Sequence, residues 1–307
     1  MSLLIVGSVA FDALETPFGK TDKIIGGSAT YFSLASSFLQ KKVNLVAVVG
    51  GDFPKDQIKM LQDHNISTAG LQIKENEKTF FWSGRYHNDM NTRDTLVTEL
   101  NVLADFDPVI PEEYQECDYL MVGNLAPNVQ SDVIKRLRKR PKLIVMDTMN
   151  FWMNVAWDEL VKTIAMVDVI SLNDEEARQM TKEYSLVKAA KKIMSMGPKV
   201  VVIKKGEHGA MLFNKDQVFF APALPLEEVF DPTGAGDTFA GGFVGYLAAT
   251  DDISFSNMKR AIIYGSALAS FCVEKFGPER LISLTRKELD ARIQQFVDLV
   301  QFEISLS

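Results

Sequence analysis

Cysteine, histidine and positive charge are all scarce in this chain. Of its 307 residues only two are cysteine, Cys117 and Cys272, each in mixed apolar sequence without a partner at metal-binding or redox spacing. A disulfide scaffold, a cysteine-ligated metal and a CxxC redox centre are thereby excluded, and a reducing, cytoplasmic setting is expected. The three histidines, His64, His87 and His208, stand apart from one another and from any Cys or carboxylate cluster, so no transition-metal site is expected. Lys and Arg number 33 against 40 Asp and Glu, a formal net charge of -7. Binding along a phosphate backbone needs clustered cations to displace counterions, so nucleic acid is not an expected partner. The one basic cluster, Lys135 to Lys142, closes an amphipathic helical stretch, where cations suit the helix dipole and the solvent.

Long apolar runs are missing too, so no membrane partner is expected. The opening Met1 to Gly7 is too short to span a bilayer and lacks the basic flank and cleavage site of a signal peptide; it reads as a buried first strand. No low-complexity tract, repeat or Pro/Gly/Ser-rich linker divides the chain, which predicts one domain over 1–307. Short apolar strands alternate with helical or turn segments: Leu3 to Gly7, Val43 to Val49, Tyr119 to Val122, Leu143 to Asp147, Val167 to Leu172 and Lys199 to Lys204. That rhythm predicts an α/β fold with a mainly parallel sheet. Lys204 and Lys205 emerge at the carboxyl end of a β-branched strand, the edge where such sheets bind ligands. Residues 12–25 and about 70–100 break the rhythm with alternating, turn-rich sequence and are expected to form a small β lid that keeps water from the site. A flat edge over Thr79 to Tyr86 would invite a homodimer through lid strands.

Chemistry concentrates in Asp231-Pro232-Thr233-Gly234-Ala235-Gly236-Asp237, which precedes a small-residue, apolar helical stretch. Small residues let backbone amides crowd at a helix start, where unpaired N–H groups and the dipole favour an anion. A transferring phosphoryl group is the natural anion, and an adjacent Asp makes sense as acceptor of a hydroxyl proton. The plainer reading is an acidic residue that merely suits the dipole.

With its flanks this segment closely resembles the C-terminal signature of the ribokinase-like, or PfkB, carbohydrate kinase family, and the resemblance extends from Leu3 to the last helices. It implies a three-layer α/β/α fold with a β lid, ATP as phosphoryl donor with Mg2+, Asp237 as catalytic base, and Gly234, Ala235 and Gly236 as the anion hole. Gly26-Gly27, opening Ser28 to Ala35, matches the N-terminal signature that approaches the sugar, with Tyr31 where many relatives carry Asn. Asp12 matches the acceptor of sugar hydroxyl bonds, while Ala10 stands where ribokinases often have Asn. Asn173 and Glu176 match the Asn-x-x-Glu element that orders Mg2+ and its waters; a simple helix cap is the competing reading. Lys205, Gly206 and Gly209 occupy the nucleotide-contact turn, although Lys204 replaces the usual Thr or Ser. Asp231 and Thr233 align with residues that hold a monovalent cation, K+, in several relatives.

Two decoys fail. Gly19-Lys20-Thr21 lacks the glycine that a Walker A loop needs at position 14, where Leu14 stands, and no Gly-x-Gly-x-x-Gly follows the first strand, against a dinucleotide-dependent oxidoreductase. A catalytically silent ligand-binding protein on the same fold is the rival of another class. The expected acceptor is the primary hydroxyl of a ribose-containing nucleoside or sugar, with another sugar or sugar acid as alternative. Phe11, Tyr31, Phe80, Phe81 and Trp82 could wall a base, and Asn124 could add a polar contact.

Overall fold

The computed structural model describes residues 1–301. In chain order its elements are β1 (Leu3–Val6), β2 (Ala10–Thr16), β3 (Gly19–Lys20), β4 (Ile24–Gly26), α1 (Ser28–Ser37), β5 (Val43–Gly50), α2 (Lys55–Asp63), β6 (Ile66–Lys74), β7 (Phe81–Tyr86), β8 (Arg93–Glu99) and β9 (Tyr119–Val122). There follow α3 (Pro127–Arg136), β10 (Leu143–Asp147), α4 (Asn150–Val155), α5 (Trp157–Ile164), β11 (Val169–Asn173), α6 (Asp174–Thr181), α7 (Leu186–Met194) and β12 (Val200–Lys204). The last are β13 (Ala210–Phe213), β14 (Val218–Ala221), α8 (Ala235–Thr250), α9 (Phe255–Cys272), α10 (Glu279–Ser283) and α11 (Arg286–Val300).

The large sheet runs β14-β13-β12-β11-β10-β9-β1-β5-β6, parallel from β12 to β6 and antiparallel at β12–β13 and β13–β14. Period-2 alternation sends successive residues to opposite faces. Leu3 and Ile5 of β1 accordingly join one buried cluster with α1, α8 and α9, while Leu4 and Val6 join a second with α3, α5, α6 and α7. Each fully buried Leu, Ile or Val contributes about 1.5–3 kcal/mol, so this two-faced core carries the strands even where helices are short. A consequence for function is that β10, β11 and β12 end side by side on one edge, at Asp147, Asn173 and Lys204.

A second sheet, ordered β3-β2-β7-β8 with β4 also on β2, forms the lid. Two expectations about it need correction. Residues 70–74 lie in the main sheet, because Gly70 to Lys74 pair in parallel with Val46 to Gly50 of β5; the lid's second segment is β7 and β8. Nor is Thr79 to Tyr86 an edge: β7 is flanked by β2 and β8, and the edge strand on that side is β8, where Leu96 and Val97 are exposed.

α8 carries the signature's last residues and is held by close approach to α1. A Cβ on Gly241 would lie 2.5 Å from the Phe32 carbonyl oxygen and 2.6 Å from its Cα. Ser36 and Gln40 donate side-chain hydrogen bonds to the Gly241 and Gly245 carbonyls at 2.8 and 3.0 Å. Gly241→Ala therefore forces backbone apart, and we expect it to destabilise the fold by about 1–3 kcal/mol, read as a lower midpoint in urea denaturation with little change in slope.

Candidate active site

α8 begins without a side-chain cap. Its N-cap residue Gly234 has a φ of +74°, and a Cβ there would lie 2.4 Å from the Tyr31 ring, so a left-handed backbone and a close neighbour both demand glycine. Ala235 donates its amide to the Pro232 carbonyl at 3.2 Å and Thr238 to that of Gly234 at 2.7 Å. Among the described residues, the amides of Gly234, Gly236 and Asp237 meet no acceptor. Unpaired amides at the positive end of a helix make an anion cradle. Asp231 anchors its approach: fully buried, it accepts from the Thr233 amide through Oδ1 and from the Gly277 amide through Oδ2, both at 2.8 Å.

Asp237, in the first turn of α8, is half-buried, and its carboxylate accepts no hydrogen bond from the described residues. Burial, and next the charge of Asp147, push it up to about 7 against the opposing pull of Lys204 and Arg93. Asp147 itself is buried at the end of β10, with Oδ1 taking the Thr148 amide at 2.7 Å and Oδ2 the Lys204 ammonium at 2.9 Å. Lys204 Nζ also sits 3.2 Å from where a Cβ on Gly236 would be, so this cation lies directly against the start of α8.

On the neighbouring strand end, Asn173 and Glu176 form a reciprocal capping box: Asn173 Oδ1 accepts the Glu176 amide at 2.7 Å and Glu176 Oε2 accepts the Asn173 amide at 2.8 Å. The helix-cap reading is thus realised, yet Glu176 Oε1 takes no hydrogen bond from the described residues. Burial raises Glu176 to about 7, chiefly against the Lys204 charge. A hard divalent ion with its waters needs few carboxylates, and the free Glu176 oxygen beside the amide cradle fits Mg2+ carried with a nucleotide.

Across the cleft, Asp12 of β2 lies over Gly26, whose added Cβ would meet Asp12 Oδ2 at 1.9 Å. Burial, then the charges of Asp231 and Asp237, raise Asp12 to about 8, with the Gly27 amide opposing. Asp12 is paired in register with Trp82 of β7, which places the two on one face of the lid sheet. Tyr86, further along that face, receives a hydrogen bond from Thr233 Oγ1 at 3.1 Å, so the face is turned toward the signature loop. Arg93 of β8 acts on the same cleft through its charge at Asp237 and Glu176, whereas Arg85 turns away to Glu15 at 2.9 Å.

Two expected contacts are displaced. Tyr31 is buried beneath Gly234, packed against the loop by the absence of a side chain there, and does not wall the cleft. Asn124 reaches the right edge, after β9, but its amide oxygen is taken by Trp152 Nε1 at 2.8 Å. Of the nucleotide turn, Gly206 has a φ of +55° and meets the lid tip at Asn91, Gly209 packs under Ala221, and Lys205 leans over Phe220. Sequence reasoning missed Asp147 as a site residue; its signal was a charged residue closing an apolar strand, the same signal that flagged Lys204.

These elements bring an amide cradle, buried carboxylates and a lysine together at one edge of a doubly covered α/β sheet. The pattern of the pfkB family carbohydrate kinases matches residues 6–283. The chain is 32% identical over 248 residues to a cytidine kinase of Thermococcus kodakarensis, covering 80% of this chain and 87% of that one. It is 33% identical over 310 residues to a ribokinase of Haemophilus influenzae, covering 94% and 97%. Among solved structures, a putative ribokinase II from E. coli in complex with ATP and Mg2+ superposes with a TM-score of 0.78 at 18% identity, over 96% of this chain and 99% of that one. The chain belongs to the pfkB family of carbohydrate kinases and is a phosphotransferase with an alcohol acceptor. None of its helices among the described residues is long and apolar enough to cross a membrane.

The raised carboxylates make a pH prediction. Asp12, Glu176 and Asp237 keep protons in the folded state that the unfolded chain, with ordinary values of 3.8, 4.5 and 3.8, has already released. Their contribution to stability is whole below about pH 4 and is lost as pH rises through 7 to 8. The ligand-free protein is expected to melt at a lower temperature at pH 9 than at pH 6, with a smaller drop in Asp12→Asn; a flat or rising profile in differential scanning fluorimetry contradicts the charge arrangement.

Proposed function

We propose that the enzyme transfers the γ-phosphoryl group of ATP to the 5′ primary hydroxyl of a nucleoside. The observation that carries this reading is the register pair Asp12–Trp82, which puts Trp82 on the lid face that bears the carboxylate assigned to the sugar hydroxyls, with its indole lying over Gly84. A free pentose has no aromatic ring to present to that indole; a nucleobase does. The 32% identical relative named cytidine kinase supports the same choice and puts a pyrimidine nucleoside first.

In this reading Asp12 and the Gly26-Gly27 turn hold the ribose hydroxyls, and Asp237 accepts the proton of the attacking hydroxyl. Among the described residues no hydrogen-bond donor meets the Asp237 carboxylate, which leaves it free for that role. The Gly234, Gly236 and Asp237 amides receive the phosphoryl oxygens, with Ala235 joining if it releases Pro232. Lys205, Gly206, Gly209 and Thr233 line the approach of the nucleotide. Mg2+, held through water by Glu176 and Asn173, would supply charge neutralisation across the phosphates. The lid face around Trp82 and Tyr86 excludes water from the transfer.

The reading extends to three finer points. Asp231 is a fully buried carboxylate with two amide donors and no ion-pair partner among the described residues, which supports a K+ ion beside it. Any homodimer through the lid forms along β8, the edge strand with exposed Leu96 and Val97. A cytoplasmic setting agrees with the use of ATP and with two buried free cysteines.

Asp237→Asn is expected to keep nucleotide affinity and lose on the order of 10²- to 10⁴-fold in turnover; near-normal turnover refutes the base assignment. Trp82→Ala, measured with cytidine and with ribose, is expected to raise the nucleoside KM roughly tenfold, since base stacking contributes about 1–3 kcal/mol, and to leave ribose kinetics unchanged. Equal effects on both acceptors, or a wild-type preference for free ribose, would move the acceptor from nucleoside to sugar.

A further inference from the structure

Lys204 is a cation with carboxylates on one side and a helix N-terminus on the other. It closes β12 beside Asn173, its side chain is 16% exposed, and its ammonium lies against Gly236 at the N-terminus of α8. A helix start is electropositive, so a lysine there opposes the dipole. Nor does the ion pair with Asp147 explain the placement by stability alone, because a buried pair recovers little more than its desolvation cost. Its ammonium, the unpaired amides of Gly236 and Asp237, and the charge of Arg93 all converge on one small volume. Such a set of donors is complete only when an anion enters.

We propose that Lys204 is a catalytic residue of the transfer step: its ammonium, set in position by Asp147, binds the oxygens of the phosphoryl group in flight at the Gly236 amide. Asp147 is the positioning residue. One of its oxygens is fixed by the Thr148 amide, so the other holds the ammonium at 2.9 Å in a defined direction rather than letting it extend to solvent. In chemical terms the protein supplies a permanent point charge where a hydroxyl donor would give only a dipole. No bond to Lys204 forms or breaks; the γ-phosphorus exchanges its bond to the leaving oxygen of ATP for one to the acceptor hydroxyl, whose proton goes to Asp237. A charge that acts on the moving group, and not on bound ATP, should appear in kcat and not in ground-state affinity.

This inference rests on the kinase reading of the site, and its test separates the two. Lys204→Gln keeps a donor for Asp147 but removes the charge, and Lys204→Met is the second variant; circular dichroism and urea denaturation verify that each is folded at the assay temperature. With the acceptor that the wild type turns over best, Lys204→Gln is expected to lose about 10²-fold in kcat with KM for that acceptor within about twofold. Independently of turnover, calorimetry with Mg2+, ADP and aluminium fluoride reports affinity for a planar phosphoryl mimic. Wild type is expected to bind ADP at least about tenfold more tightly with the fluoride than without it, and Lys204→Gln to lose that gain while its affinity for ADP alone is unchanged. A kcat within about threefold of wild type overturns the proposal. So does a retained fluoride gain, or a loss of affinity for ADP alone as large as the loss in kcat. A wild type that binds the mimic but phosphorylates no acceptor would count against the acceptor reading while leaving the Lys204 measurement intact.

Discussion

Everything at this site follows from one electrostatic constraint: more carboxylates are buried around the cleft than there are cations to meet them. Asp12, Asp147, Glu176 and Asp231 are buried and Asp237 half-buried, while only Lys204 and Arg93 bring positive charge among the described residues whose charges act on Asp237. An isolated buried carboxylate is costly, and the protein answers each case differently. Asp231 takes two amides, Asp147 an amide and an ammonium, and Glu176 the amide of its own helix cap. Asp237 is left with no donor among the described residues, so burial and its neighbours raise its affinity for a proton. That condition suits the general-base role proposed for it.

The fold exists to hold this imbalance in place. Strands buried on both faces fix the positions of Asp147, Asn173 and Lys204 to within the register of a parallel ladder. Opposite them, α8 is seated against α1 by a backbone contact that tolerates no side chain at Gly241, which fixes where its free amides point. The lid then closes the third side, with Thr233–Tyr86 and Asn91–Gly206 among its contacts with the body.

Much of this was legible in the residues. Strand positions could be read because β-branched runs such as Val200 to Ile203 admit few alternatives, and the reaction could be read because Gly-Ala-Gly-Asp, Asp12 and Asn173 to Glu176 occur in one order. Less legible was anything that depends on pairing across the chain. Residues 70–74 alternate like a lid strand but lie beside β5, a choice made by tertiary pairing rather than by local pattern. Tyr31 looked like a wall for the acceptor because its aromatic ring was visible in sequence; the vacancy at Gly234 that draws it beneath the loop was not. The Lys204–Asp147 pair spans 57 positions, so neither residue announces the other.

What unites these features is a prediction about which oxygen receives the phosphoryl group. In the proposed reading, Asp12 and Gly26-Gly27 hold a ribose so that its primary hydroxyl meets Asp237, whose charge acts on Asp12. The most direct measurement is proton-coupled 31P NMR of a mixture of enzyme, cytidine, ATP and Mg2+. The account predicts a new phosphomonoester signal split by the two 5′ protons, growing in step with ADP. A signal split by a single proton, as for a 2′- or 3′-phosphate, or ADP accompanied only by inorganic phosphate, would contradict it.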